Sequence, residues 1–233
     1  MLGFRAHLST QEVLLQLHHN LLHPDSGSST KALLSLDFHK AFDIVLHAAV
    51  LESLAYLQPG EQTYNYIRSF LTGRAVELAV GDLRSPPTRL GNRGTPQGAV
   101  LSPFLFHLAM RTLPPKLSEV PGLRHTLYAD DITLRTCEGS DGAVLKTFQH
   151  ATDLEHATDI VVQHVKAAGL ECSQHKSELL PIRPPHRSKH KSPSPLITIR
   201  VNQSPVTHVE PIRVLGMILQ QNRLEQASRS TGS

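Results

Sequence analysis

Tryptophan is absent from this chain, and aromatic residues fill only 5% of its 233 positions. A core must therefore be built from aliphatic side chains, which the 39% hydrophobic content can supply. Cysteine is nearly missing too. Cys137 and Cys172 are too few for a disulfide framework, so the sequence points to a reducing, intracellular setting, with nucleus and cytoplasm unresolved. No run of about twenty apolar residues occurs, which argues against a membrane-spanning helix and a membrane partner. The opening Met1-Leu2-Gly3-Phe4-Arg5 lacks a basic stretch followed by an apolar core and does not read as a secretory signal. Charge of one sign is also scarce. The formal net charge is +3, and a sequence pI of 9.0 is only a weak pull toward polyanions. The fifteen histidines are scattered. His18, His19 and His23 cluster, but no cysteine joins them at zinc-finger spacing, so they read as a solvated helix face.

Helix and strand signals mix without regular βαβ alternation, which favours an α+β domain built on an antiparallel sheet. Ser9 and Glu12 match a capping box ahead of Val13, Leu14, Leu17 and Leu21, predicting a helix over 10–23. The apolar run from Lys31 to Asp37 predicts a fully buried strand with an acid at its carboxyl end. Asp43 is placed to cap a helix over 44–57, and Pro59-Gly60 separates it from a second helix over 61–71. Strand-like alternation follows over 74–80, a turn at Gly81-Asp82, and a return strand over 83–90 that Pro86-Pro87 confines to an edge. Ser102-Pro103 opens a helix that is apolar nearly all round, with Pro114-Pro115 as its stop. An amphipathic helix is predicted over 142–168, ended by Gly169. Strands are predicted over 196–201 and 214–219.

The chemistry concentrates in acids. Tyr128-Ala129-Asp130-Asp131 lies between short apolar stretches, as at the tip of a strand–turn–strand unit. Consecutive strand residues face opposite ways, so Asp130 and Asp131 can share a site only if a tight turn rotates one of them. Asp37 ends a separate buried run. Three convergent carboxylates repel one another, and a hard cation such as Mg²⁺ relieves that repulsion. Each piece alone has an ordinary reading: an Asp-Asp pair as a solvated turn, Asp37 and Asp43 as a strand end and a helix cap, Thr95-Pro96-Gln97-Gly98 as a loop. Their joint order is harder to explain that way.

Three segments in succession carry a family likeness. They are Leu36-Asp37-Phe38-His39-Lys40-Ala41-Phe42-Asp43, Gly94-Thr95-Pro96-Gln97-Gly98-Ala99-Val100-Leu101-Ser102-Pro103, and Tyr128-Ala129-Asp130-Asp131. Together they resemble the catalytic motifs of reverse transcriptases, specifically those of non-LTR (LINE-like) retrotransposons. Gly3-Phe4-Arg5 with Ser9-Thr10 resembles the segment before them, and Gly169-Leu170 through Lys176 and Glu178 the segment after. Val214-Leu215-Gly216 resembles the family's next hairpin, near the primer.

The resemblance implies a polymerase palm, an antiparallel sheet backed by helices, with fingers and thumb incomplete. It implies two Mg²⁺ ions, with Mn²⁺ as the alternative, held by Asp37, Asp130, Asp131 and the backbone carbonyl of Phe38. Phe42 would lie under the sugar and reject a 2′-hydroxyl, although core packing before a helix explains it as well. Gln97 and Gly98 would border the incoming nucleotide and template base, and Tyr128 would stack near the primer end. Lys176 takes the position of a proton donor to the leaving pyrophosphate, with a solvated loop lysine as the plain alternative. RNA template, DNA primer and deoxynucleoside triphosphates are the implied partners. Arg68, Arg74, Arg84, Arg89 and Arg93 fall between the first two motifs, where some could neutralise strand phosphates.

The expected organisation is a partial fingers or connecting helix over 1–30, a palm over 31–183, a flexible basic Pro/Ser loop over 184–195, a terminal hairpin over 196–219 and a disordered tail over 220–233. The family's triphosphate-gripping cations precede the Gly3-Phe4-Arg5 motif, and a helical thumb follows the last hairpin. Neither has room in this sequence, so a truncated copy with weak or absent polymerisation is expected. A non-catalytic nucleic-acid-binding remnant is the first rival. A two-metal nuclease or phosphatase is the second, and it leaves Phe42 and Thr95-Pro96-Gln97-Gly98 without a role.

Overall fold

A computed structural model of the chain describes Leu15 and residues 31–136, 143–182, 197–215, 217–220 and 223–226. The helix expected over 10–23 and the loop over 184–195 lie outside the described residues, Leu15 aside. The chain gathers into two compact units. The first takes Met1–Phe38, Leu113–Gln163 and Cys172–Ser233; the second takes His39–Thr112 and His164–Glu171.

The first unit is organised around one buried strand, Lys31–Leu36, whose side chains are withdrawn from water at every position but Ser35. Burial on both faces explains why its sequence is a near-continuous apolar run instead of an alternation. Antiparallel partners flank it on both sides, so Leu34 faces Leu134 of the Asp131–Thr136 strand and Leu179 of the Glu178–Ile182 strand. Leu123–Tyr128 adds a further antiparallel strand outside Asp131–Thr136. The other edge is a two-residue strand, Thr207–His208, which pairs in parallel with Glu178–Ile182. The five-stranded sheet is thus antiparallel except at that edge. A side chain adds to the ladder: the Ala32 amide donates to Thr136 Oγ1 at 3.0 Å.

Helices pack on this frame where the pattern allows. Leu113–Ser118 lies against the Leu123–Tyr128 strand. Pro114 and Pro115 sit in its first turn, so they open a helix; the preceding helix has already ended at Ala109. Proline is tolerated there because the amides of a first helical turn have no intrahelical acceptor. The long helix Ala143–Ala167 buries Leu154, Ala157, Val161 and Val165, one stripe at helical spacing. It closes as foreseen at Gly169, φ +77°. Leu170 N–H reaches the Val165 carbonyl at 2.8 Å and Gly169 N–H the Lys166 carbonyl at 3.1 Å, a Schellman pair.

The C-terminal part departs from expectation. A single strand over 214–219 is interrupted: Ile212–Val214 and Met217–Gln220 form an antiparallel hairpin around Leu215, which has φ +49°. The hairpin reading of Val214-Leu215-Gly216 was the better one, although Gly216 itself lies outside the described residues. Ile212, Val214 and Leu219 join Leu33, Leu180 and Ile182 in one apolar cluster, which ties the hairpin to the sheet. Arg223–Gln226 adds a third strand, with Leu224 opposite Leu219, so order continues past Gln220 where a disordered tail was expected. Within the strand expected over 196–201, Arg200–Val201 pairs with Ser204–Pro205, and the Ile199 carbonyl accepts from Val206 N–H at 2.9 Å.

The second unit begins with a short helix, Ala41–Ile44, then His47–Tyr56 and Glu61–Leu71. The single helix expected over 44–57 is broken because Val45 is extended (φ −54°, ψ 132°). Asp43 falls inside the short helix and caps nothing; the cap positions are Lys40 and Leu46. The expected hairpin is present in two registers, Ala75–Val76 with Thr88–Arg89 and Ala79–Val80 with Leu83–Arg84. Ser102–Ala109 buries Leu105, Phe106 and Leu108 and packs on His47–Tyr56. Its apolar character does not reach all round into the core, because Phe104 is exposed. Among the described residues, no helix is long and apolar enough to cross a membrane.

A close backbone contact in this unit is made at Gly94. Its N–H donates to the Val45 carbonyl at 2.8 Å, and the next amide, Thr95, donates to Phe42 at 2.6 Å. A Cβ on Gly94 would sit 2.5 Å from the Asp43 carbonyl oxygen, and its φ is +81°. Gly94→Ala is therefore expected to destabilise the fold by about 2 kcal/mol or more, read as a lower urea midpoint at unchanged m-value. A neutral effect would show that the loop does not clamp the Phe42–Val45 backbone.

Candidate active site

The central strand and the Tyr128 hairpin set the acids. Leu36 pairs with Ile132, so continuing the register by one residue puts Asp37 opposite Asp131. Directly opposed residues on antiparallel strands hold their Cβ atoms about 5 Å apart. Across the hairpin, Tyr128 pairs with Asp131, which leaves Ala129 and Asp130 as a two-residue turn. Ala129 has φ +51°, the left-handed conformation that lets so short a turn close. This is the rotation required for Asp130 to leave the strand's alternation. Three acids from two chain segments thus converge at one end of the sheet.

Their electrostatics agree with that placement. Partial burial first, then the negative charges of Asp130 and Asp37, push the Asp131 carboxyl above the usual carboxylate range. Asp37 Oδ1 is buried and accepts no hydrogen bond. Lys176 pairs with it, its Nζ 3.7 Å from that oxygen, an ion pair longer than a hydrogen bond. Lys176 is brought there by a turn that sequence reading passed over. Ser177 N–H donates to the Ser173 carbonyl at 2.9 Å, and Ser173 N–H donates to the Asp37 carbonyl at 2.8 Å. Ser177 Oγ donates to the Ser173 carbonyl at 2.8 Å and accepts from the Asp37 amide at 3.4 Å. Phe38 is buried next to Asp37 and forms an isolated bridge with Cys172. Tyr128 is half-buried at the end of its strand.

Hard oxygen donors suit a divalent ion, and an orphaned buried carboxylate oxygen beside a carboxyl strained by like charge is the environment such an ion would relieve. The residues fit the group in chemistry. Among the described residues, however, no three acidic, histidine or cysteine side chains are drawn into a ligand cage.

The other expected residues lie in the second unit. Phe42 stacks on Phe106, ring centroids 4.9 Å apart, so its ring is held by the unit's own core. Gln97 is exposed, and its Nε2 donates to Asp43 Oδ1 at 3.1 Å. Gly98 has φ +82° with open space where a Cβ would be, so its glycine is demanded by backbone conformation. His47 escaped notice in the sequence. It is buried, and its Nε2 donates to the Gly94 carbonyl at 2.7 Å.

A family model described as reverse transcriptase (RNA-dependent DNA polymerase) matches residues 1–219. The chain belongs to that family. This reverse transcriptase domain is 34% identical over 114 residues to a retrovirus-related Pol polyprotein from type-1 retrotransposable element R2 of Popillia japonica, covering 45% of this chain and 16% of that protein. It is 31% identical over 140 residues to the RNA-directed DNA polymerase from mobile element jockey of Drosophila funebris, covering 58% of this chain and 15% of that protein. The matched stretches are thus a small part of either relative. Among solved structures, telomerase from Candida tropicalis in complex with a TWJ fragment of telomeric RNA aligns with a TM-score of 0.62 at 11% identity. That alignment covers 96% of this chain and 34% of the telomerase, and shows a shared fold. The likeness to non-LTR retrotransposon enzymes is therefore shown, and so is a reverse-transcriptase fold of mixed sheet and helices, consistent with the α+β palm expected. Reverse transcriptases work with divalent metal.

The like charges around Asp131 have a measurable consequence. A raised carboxyl pKa means the folded state takes up a proton more readily than the unfolded one. The contribution is favourable below the unfolded value, near 4, and is lost as pH rises past the folded value. Asp131→Asn is expected to stabilise the metal-free chain at pH 7 by up to about 1 kcal/mol, the scale of a cross-strand pair. The gain should fade toward pH 3.5. Urea unfolding in EDTA at both pH values tests this, and destabilisation at pH 7 would contradict the repulsion.

Proposed function

We propose that the chain carries the palm of an RNA-directed DNA polymerase, extending a DNA primer on an RNA template with deoxynucleoside triphosphates. The observation that carries this reading is the end of the central strand, where Leu36 pairs with Ile132 and Tyr128 with Asp131, so that the charges of Asp130 and Asp37 act on the Asp131 carboxyl. Asp37, Asp130, Asp131 and the Phe38 carbonyl are the oxygens assigned to two Mg²⁺ ions, with Mn²⁺ as the substitute. Such ions, when bound, supply charge neutralisation at the triphosphate and activation of a primer 3′-hydroxyl. Phosphoryl transfer asks the protein mainly for positioning and charge, which is what this residue set offers.

Lys176 is assigned to the leaving pyrophosphate as proton donor. Its place beside Asp37 supports that role, because the ammonium already stands at the acids. Tyr128 is assigned to the primer end, and Gln97 with Gly98 to the nucleotide and template base. Phe42 is assigned to sugar selection; the stack on Phe106 supports it by giving the ring little freedom to retreat. The subdomain limits stated from sequence, with 1–30 as connecting segment, 31–183 as palm and 196–219 as primer hairpin, belong to the same proposal.

A second reading is a nucleic-acid-binding remnant without turnover; among the described residues, no three acidic, histidine or cysteine side chains stand close enough to form a ligand cage. Primer extension on poly(rA)/oligo(dT) with Mg²⁺ separates the two. Wild type is expected to incorporate dTTP and Asp130→Asn to lose at least about 100-fold, the loss of several kcal/mol of charge stabilisation. Equal incorporation by both removes the catalytic assignment. Binding without extension by wild type selects the remnant.

Sugar selection has its own measurement. Phe42→Val, which opens space beneath the sugar, is expected to raise the ribonucleotide share of incorporation by about tenfold, roughly 1.4 kcal/mol of discrimination. An unchanged UTP/dTTP ratio assigns Phe42 to packing alone.

A further inference from the structure

The helix His47–Tyr56 is tied to the motif loop by both donors of its first residue. His47 N–H donates to the Asn92 carbonyl at 3.1 Å, and the ring Nε2 donates to the Gly94 carbonyl at 2.7 Å. A first helical amide lacks an intrahelical acceptor, so the Asn92 carbonyl meets an ordinary need. The ring meets none of that kind. It is 5% exposed, and its Nδ1 is buried without a hydrogen-bond partner. A carbonyl only accepts, so Nε2 carries the proton and Nδ1 of the neutral ring is a bare acceptor. Burying such a nitrogen unpaired is unfavourable. Val50 and Leu54 fill buried positions of the same helix without that penalty. What an imidazole adds at position 47 is the hold on Gly94.

That hold completes a series of backbone bonds. Gly94 N–H donates to the Val45 carbonyl at 2.8 Å, and Thr95 N–H to the Phe42 carbonyl at 2.6 Å. Leu46 and Arg93 form an isolated bridge between them. With His47 on its carbonyl, Gly94 is fixed at both its amide and its oxygen, although glycine is the residue with the widest backbone freedom. The far end of the loop is held more lightly, by the exposed bond from Gln97 Nε2 to Asp43. Gln97 and Gly98 therefore take their place from the anchored end. We propose that His47 is a positioning residue: its Nε2–H sets the Gly94–Gly98 loop, and through it the groups assigned to the incoming nucleotide. The inference rests on the reading of the chain as a polymerase palm and adds to it a residue that touches no substrate.

Three variants isolate the donor. His47→Gln keeps an N–H at the ε position, His47→Asn places its amide only at the δ position, and His47→Leu has neither. The first readout is amide hydrogen exchange on the free protein, which needs no turnover. Gly94 and Thr95 amides are expected to exchange about tenfold faster in the Leu and Asn variants, the scale of one lost hydrogen bond. The Gln variant should stay within about twofold of wild type, and amides of the Lys31–Leu36 strand should not change in any of them. The second readout is primer extension on poly(rA)/oligo(dT). The Leu and Asn variants are expected to raise KM for dTTP about tenfold with kcat within about threefold, the pattern of lost nucleotide binding, and Gln should rescue it. Wild-type exchange and KM in the Leu and Asn variants overturn the proposal. So does a Gln variant as impaired as Leu, which assigns the ring to packing, or equal acceleration in the Lys31–Leu36 strand, which reports global loosening. In each of these cases extension by wild type leaves the polymerase reading standing. If wild type extends no primer, the polymerase reading falls; exchange then decides the hold on the loop, and equal rates in all four proteins overturn it.

Discussion

One pairing register governs the chemistry of this chain. Leu36 opposite Ile132 and Tyr128 opposite Asp131 bring the backbones of three acidic residues to one end of the sheet. Side chains alternate along a strand, so slipping either register by one residue would turn an acid to the other face and bury or expose the wrong neighbours. The register is held from both sides by packing. Leu33, Leu34 and Leu36 are fully buried, and their cross-strand partners Leu134, Leu179 and Leu180 are buried with them. The functional geometry is thus a by-product of the best-packed part of the molecule.

That geometry is costly. Three like charges gather where one carboxylate oxygen has no hydrogen bond and another carboxyl is forced above its ordinary range. Ala129 adds to the cost by holding a left-handed conformation with a Cβ in place, worth about 1–2 kcal/mol in this region. Glycine would relieve the turn. An alanine there, in a two-residue connection between acids, is the kind of local strain that concentrates at functional sites. Lys176 offsets the charge only in part. It is largely exposed and stands beyond hydrogen-bond range of Asp37, so screening by solvent leaves the pair weak.

Much of this was readable from residue order because the informative segments are local and strongly biased. The unbroken run Ala32-Leu33-Leu34-Ser35-Leu36 could hardly be anything but a doubly covered strand, and Gly169 after an apolar stripe marked a helix end. The misreadings arose where two principles competed. Asp43 looks like a helix cap by type, but the backbone at Val45 turns extended to meet Gly94, and the helix starts afresh two residues later. Pro114-Pro115 breaks a helix interior yet suits a first turn, and sequence alone could not say which side of the break it occupied. Arg223–Gln226 was read as a tail because its composition is polar; its backbone nonetheless pairs with Met217–Gln220. The Ser173–Ser177 turn is set by contacts with the Asp37 backbone far away in sequence. No local pattern announces such a contact.

Glycines in the motif loop show how one residue type serves two physical ends. Gly94 is required by contact, since the Asp43 backbone lies against it and its own N–H is bonded to the Val45 carbonyl, and by its positive φ. Gly98 is required by φ alone, and the space beside it is open. Evolution toward a larger residue is closed at the first position by backbone that cannot move without breaking the bonds at Val45 and Phe42. At the second it is opposed only by backbone strain, and the open volume remains for whatever approaches the loop. A loop anchored at one glycine and left clear at the other is fixed in position while presenting a free edge. This is the property expected of a segment that must meet a ligand without itself rearranging.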